Sequence, residues 1–124
     1  MAVQLNHTIV SARDKRASAE FLAEVLGRPA PTTFGPFTVV ELDNGVSLDF
    51  HEDGPVQPRH YAFLVGEDEF DAILGRIRAR GLPFWADPGQ RRPGEINTAD
   101  GGRGVYWPDP DGHFLEIITR PYGG

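Results

Sequence analysis

Two stretches of the chain share one rhythm of apolar and polar positions. Leu5-Asn6-His7-Thr8-Ile9-Val10 reads as a strand, and after a polar break at Ser11 to Arg13 the residues Ala17, Phe21, Leu22, Val25 and Leu26 recur at helical spacing. Asp14 is placed to cap that helix and Gly27 to stop it. A short acidic side chain accepts the free N–H groups of a first turn, and glycine takes the left-handed conformation after a last one. Farther on, Arg59-His60-Tyr61-Ala62-Phe63-Leu64-Val65 is again strand-like, and a helix opening at Asp68 sets Phe70, Ile73, Leu74 and Ile77 on one face before ending at Gly81. The interval from His7 to Gly27 matches that from His60 to Gly81 within a single residue.

The downstream halves agree as well. Asn44-Gly45-Val46-Ser47-Leu48-Asp49 can be laid on Asp111-Gly112-His113-Phe114-Leu115-Glu116 without a gap. Asn-Gly and Asp-Gly favour tight turns that need positive φ, and β-rich runs precede both, Phe37 to Leu42 and Val105 to Trp107. With short strands expected around Thr32 to Phe34 and Pro83 to Ala86, each unit reads βαβββ. The pattern therefore predicts an α+β fold of two tandem βαβββ modules, about residues 4–51 and 58–121, whose curved mixed sheets form a cavity. The join at 52–57 is rich in charge, glycine and proline, as a linker is. Asp87 to Arg103 is a second irregular stretch, of a length that usually carries function.

Composition narrows the partners. The 124 residues suit a single domain, 1–124, and Lys+Arg 12 against Asp+Glu 18 leave a formal charge of −6. A phosphate-backbone partner needs a dense basic patch, so no nucleic-acid partner is expected. No long apolar run or secretory leader is visible, so no membrane partner is expected and the location reads as cytoplasmic. The partner left is a small molecule. With no cysteine in the chain, a metal ion would have to bind through His, Asp or Glu.

Strand side chains alternate between faces. His7 shares a face with Leu5 and Ile9, His60 with Ala62 and Leu64, Asp49 with Ser47 and His51, and Glu116 with Phe114 and Ile118. Equivalent positions of a repeated module approach its pseudo-two-fold axis, so His7, Asp49, His60 and Glu116 are candidates for one cavity. Two imidazoles and one or two carboxylates suit a divalent ion such as Fe, Mn, Ni, Co or Zn with positions left open for substrate. Singly, each residue has a plain structural explanation. Glu116 is the exception, since it lies between Leu115 and Ile117, where an unpaired carboxylate would be costly to bury.

The chain resembles the vicinal oxygen chelate superfamily, which includes glyoxalase I, extradiol dioxygenases, fosfomycin-resistance enzymes and bleomycin-resistance proteins. The resemblance covers nearly all of it. It rests on Leu5 to Val10, on Ala19-Glu20-Phe21-Leu22-Ala23-Glu24-Val25-Leu26-Gly27, and above all on Tyr106-Trp107-Pro108-Asp109-Pro110-Asp111-Gly112-His113-Phe114-Leu115-Glu116, which looks like that superfamily's Asp-Pro-Asp-Gly-x-x-x-Glu signature. By resemblance the metal ligands are His7, His60 and Glu116. The fourth position, a Glu in glyoxalase I, is Asp49 here, one methylene shorter, so its role as a direct ligand stays open; a general base is its other role. Tyr106 falls where the dioxygenase and fosfomycin branches carry a tyrosine facing substrate. The resemblance also implies a homodimer, with His7 joining His60 and Glu116 of its own chain or of a second copy.

The remaining candidates are weaker. His51 shares a face with Asp49 and is a possible proton carrier, whereas His113 has the wrong parity relative to Glu116 and is expected at the surface. Arg91, Arg92 and Arg103 flank the long loop, and Phe34, Phe37, Phe84 and Trp85 are candidate cavity aromatics. The resemblance implies a metal-dependent enzyme acting on an oxygen-chelating substrate, with lyase or isomerase, dioxygenase, and thiol or epoxide-addition chemistry all open. The alternative is a metal-free protein that sequesters an aromatic antibiotic or natural product.

Overall fold

The first helix begins and ends as its terminal residues dictate. Asp14 accepts the N–H of Ala17 at 3.0 Å, and Gly27 closes the helix at φ 74°, a conformation that strains any residue with a β-carbon. The structure, a computed structural model that describes residues 2–121, divides after Gln57 into two units.

The first unit runs β1 (His7–Ser11), α1 (Lys15–Leu26), β2 (Thr32–Phe34), β3 (Phe37–Glu41) and β4 (Ser47–His51). Its sheet has the order β1-β4-β3-β2, with β1 parallel to β4 and the other pairs antiparallel. The alternation read from the sequence is real. Val10, Val40, Leu48 and Phe50 are buried, and α1 packs over β3 and β4 with Ala19, Leu22, Ala23 and Val25 turned inward. On the other parity His7 is exposed, Ile9 is 49 % exposed and Phe34 is 73 % exposed.

The second unit runs β5 (His60–Leu64), α2 (Glu67–Ala79), a single 3-10 turn at Ala99–Gly101, β6 (Gly104–Pro108) and β7 (Phe114–Ile118). Its sheet order is β5-β7-β6, with β5 parallel to β7 and β6 antiparallel to it. Position for position, β5 stands for β1, β7 for β4 and β6 for β3. The extra strand expected around Pro83 to Ala86 reduces to single bridges from Trp85 to Tyr106 and to Pro93. Proline has no N–H to donate to a ladder, and the chain turns away into the long loop instead. The second helix starts at Glu67 rather than Asp68, and its cap, Gly66, donates its N–H to the Glu69 carboxylate at 3.2 Å.

Both sheets are thus polarised. One face is packed with aliphatic and aromatic residues, including the fully buried Trp107 and Ile117, and the other carries the histidines and carboxylates singled out above. No helix among the described residues is long and apolar enough to cross a membrane.

Candidate metal centre

Parallel pairing of β5 with β7 sets Ala62 opposite Glu116 and His60 opposite Phe114. Side chains two residues apart on neighbouring strands of one face are within reach of each other. The His60 Nε2 lies 3.0 Å from Glu116 Oε1, and the opposite ring nitrogen, Nδ1, is 2.9 Å from the Phe114 carbonyl oxygen. A carbonyl can only accept, so Nδ1 carries a proton, and Nε2 faces the carboxylate, donating to it in the charged ring and presenting a lone pair in the neutral one. In the neutral ring both facing atoms are acceptors, and a cation beside them would engage both. Ligands at adjacent corners of an octahedral ion, each about 2.1 Å from it, stand about 3.0 Å apart, so this pair fits one edge of a metal site. The imidazole has the second hydrogen bond that ligating histidines usually have.

The Asp-Pro-Asp-Gly turn holds this edge in place. Asp109 Oδ1 accepts the N–H groups of Asp111 at 2.9 Å and His113 at 2.8 Å, and Gly112 closes the turn at φ 86°. His113 then accepts the Arg59 N–H on its Nδ1 at 2.9 Å, while the Phe114 N–H donates to the Arg59 carbonyl at 2.8 Å. The start of β5, and with it His60, is tied to the turn that launches Glu116. His113 is therefore not a surface residue: it is 1 % exposed, with Tyr61 edge-on to its ring. Strand parity does not govern a residue that precedes its strand. Burial holds the Asp109 carboxyl above the usual carboxylate range, against the pull of His113 and the turn N–H groups.

Tyr106 lies directly opposite Glu116 in the β6–β7 register, is buried, and stacks on His60 and Phe114 with centroid separations of 5.9 and 5.4 Å. Glu116 is 2 % exposed, yet it and Tyr106 line an open cavity of about 360 Å³ together with Asn97, Arg103, Ile118 and Arg120. Arg120 did not stand out in the sequence, since it lies two residues past the end of β7, where alternation no longer assigns a face. Arg103 is engaged elsewhere. It donates to Glu67 and Asp71 on α2 at 2.8 Å each and lies 4.3 Å from the centre of the Phe70 ring. Its guanidinium holds the Asp71 carboxyl below the usual range.

In the first unit the equivalent register sets Ile9 opposite Asp49 and His7 opposite Ser47. Among the described residues His7 Nδ1 meets the side-chain oxygen of its neighbour Asn6 at 2.7 Å, and Asp49 accepts the Ser47 hydroxyl at 2.9 Å. Both line a hollow of about 440 Å³ with Ile9, Phe34 and Phe37. His51 packs against the Phe37 ring at 5.1 Å. Of the other candidates, Trp85 packs on Phe114, Phe84 lies under Arg78, and Arg92 pairs with Glu95. Among the described residues no group of three His, Asp or Glu side chains is gathered at one point. His60 and Glu116 are brought together; His7 and Asp49 belong to the first unit.

A sequence profile of the Glyoxalase/Bleomycin resistance protein/Dioxygenase superfamily matches residues 4–117. The chain is similar to the solved structure of "Oxidase ChaP-H1", at 72 % identity and TM-score 0.96, covering 99 % of this chain and 100 % of that one. It is also similar to "Oxidase ChaP-H2", at 63 % identity and TM-score 0.95, covering 100 % and 98 % of the two chains. A more distant relative is "Glutathione transferase FosA" of Serratia marcescens, 28 % identical over 124 residues, which cover 94 % of this chain and 81 % of that protein.

Proposed function

The chain belongs to the glyoxalase/bleomycin resistance protein/dioxygenase superfamily, and from that premise we propose that it is a metal-dependent oxidase of small substrates bearing two vicinal oxygens. The observation that carries the reading is the edge formed by His60 Nε2 and Glu116 Oε1 at 3.0 Å. Similarity to two proteins described as oxidases favours oxidation by dioxygen over thiol addition or isomerisation.

In this reading His60, Glu116 and His7 hold a divalent ion. When bound, the ion supplies fixed positive charge beside the substrate oxygens and favours their deprotonated form. The chain's own groups do the rest. Phe114 keeps the His60 proton on Nδ1 through its carbonyl, so that Nε2 stays a ligand atom. Tyr106, fixed by its stacking, offers its phenol to a substrate oxygen next to Glu116. Asp49 keeps one oxygen on Ser47 and has a second with which to receive a substrate proton, as a general base would. A homodimer belongs to this reading, with His7 supplied within one chain or from a second copy.

An oxygen electrode tests it. Full-length protein loaded with Fe or Mn should consume dioxygen with a panel of catechols and related polyphenols, and His60→Ala should abolish the uptake. Absence of uptake with either metal, together with turnover of methylglyoxal and glutathione, would overturn the oxidase reading in favour of the isomerase branch.

A further inference from the structure

The cavity beside Glu116 carries a charge that the chemistry proposed above does not use. Two of its lining residues are arginines, Arg103 and Arg120. They differ in one respect. Arg103 is matched by two carboxylates, Glu67 and Asp71, and its guanidinium also donates to the Glu67 carbonyl at 3.2 Å. Arg120 has no ion pair, hydrogen bond or ring partner among the described residues, and Asp100, the other acid on the same wall, does not engage it.

The chain around Arg120 is built to seat its stem. A β-carbon on Gly102 would lie 2.8 Å from Arg120 Cγ and 2.6 Å from Thr119 Oγ1, closer than real β-carbons approach such atoms. Gly101, at φ 75°, leaves the guanidinium Nη1 3.7 Å from where its own β-carbon would be. The Gly101-Gly102 pair is thus a groove for the Arg120 side chain. The same lining includes the apolar Pro88, Ala99 and Ile118 alongside the polar Asn97 and Asp100. Three residues lie between Glu116 and Arg120, so their Cα atoms are at most roughly 14 Å apart.

We infer that Arg120 is a specificity residue that receives a carboxylate of the substrate, while the vicinal oxygens of the same molecule sit at His60 and Glu116. The inference rests on the oxygen-chelating reading above and adds to it a substrate class: an aromatic compound with adjacent hydroxyl or keto oxygens at one end and a carboxylate at the other. The planar fork of a guanidinium matches a carboxylate in two hydrogen bonds, which is a selection an ammonium does not make. The apolar part of the lining, Pro88, Ala99 and Ile118, suits the ring.

Calorimetric titration of the full-length protein, loaded with redox-inert Zn(II), with a matched pair of probes tests this. 3,4-Dihydroxyphenylpropionate carries a carboxylate beyond its catechol; 4-ethylcatechol does not. The acid should bind about tenfold more tightly, and raised salt should narrow the gap, as for any partly exposed charge pair. In Arg120→Met the gap should close to within about twofold with 4-ethylcatechol affinity unchanged, and Arg120→Lys should restore only part of it. An equal affinity for the two probes in the parent protein, or a gap that survives Arg120→Met, would overturn the carboxylate subsite while leaving chelation intact. If neither catechol binds the loaded protein, both this inference and the oxygen-chelating reading fail.

Discussion

The two units use one pattern and finish it differently. In each, the first strand pairs in parallel with the last, and the residue two after the histidine lies opposite a carboxylate: Ile9 with Asp49, Ala62 with Glu116. In the second unit this becomes a histidine held at both nitrogens, by Phe114 and by Glu116. In the first it does not, because the acid is one methylene shorter and the residue opposite His7 is Ser47, whose hydroxyl occupies an Asp49 oxygen. The corresponding place in the second unit is Phe114, which offers only its carbonyl and a ring. A repeat therefore sets where the ligand-type residues fall, and two local choices, Glu for Asp and Phe for Ser, decide which half is organised before any ion arrives.

Removing the carboxylate from each unit tests that difference most strongly. Glu116→Ala is expected to weaken divalent-ion affinity by more than about 100-fold, and Asp49→Ala by less than about threefold, measured by competition with a chromophoric chelator. Equal losses would make the two acids equivalent ligands and erase the distinction.

The helices of the two units are capped differently as well, and stability measures the consequence. Asp14→Ala removes a side-chain cap and should lower the unfolding free energy by about 1 kcal/mol. Glu69→Ala removes an exposed carboxylate from a helix whose cap is glycine and should take about half as much, the two being compared by denaturant midpoint at constant slope.

The smallest contrast is in pH dependence, within the second unit. Asp71 has its pKa lowered in the folded state, so its contribution is present above the ordinary carboxylate value of about 4 and is lost as pH falls through the folded pKa. Arg103→Met should flatten that acid limb. Asp109 has the opposite sign: its folded pKa is raised, so its contribution is full below about 4 and declines as pH rises through the folded value. Asp109→Asn keeps the oxygen that accepts Asp111 and His113 and should remove that decline in thermal unfolding followed from pH 4 to 7. An unchanged slope in either variant would show that the group concerned does not set the pH dependence.

Much of this was legible in the order of residues. The repeat placed β1, α1, β5 and both turns, and the Asp-Pro-Asp-Gly run marked the strand that carries Glu116. Three features were not legible, each for a physical reason. His113 looked exposed by alternation, but it belongs to the turn, where the Asp109 hydrogen bonds rather than the pleat aim its ring. The short strand near Trp85 is curtailed because Pro83 lacks an N–H and Asp87 gathers the N–H groups of Arg91 and Arg92 into a loop. Arg103 lies beside a loop in sequence, and only the fold brings it to Glu67 and Asp71 on α2. Equivalent positions of the repeat grouped His60 and Glu116 with His7 and Asp49 as candidates for one cavity; the proton on Nδ1 of His60 depends on a backbone carbonyl that no side-chain pattern reports.

The central claim is that His60 and Glu116 form one edge of a divalent-ion site. Elemental analysis of the full-length protein purified without chelators tests it most directly. About one Fe, Mn, Ni, Co or Zn per chain is expected, lost in both His60→Ala and Glu116→Ala while each variant keeps its fold by circular dichroism. A parent protein that takes up no ion even when one is supplied in excess, or an ion content unchanged in both variants, would contradict it.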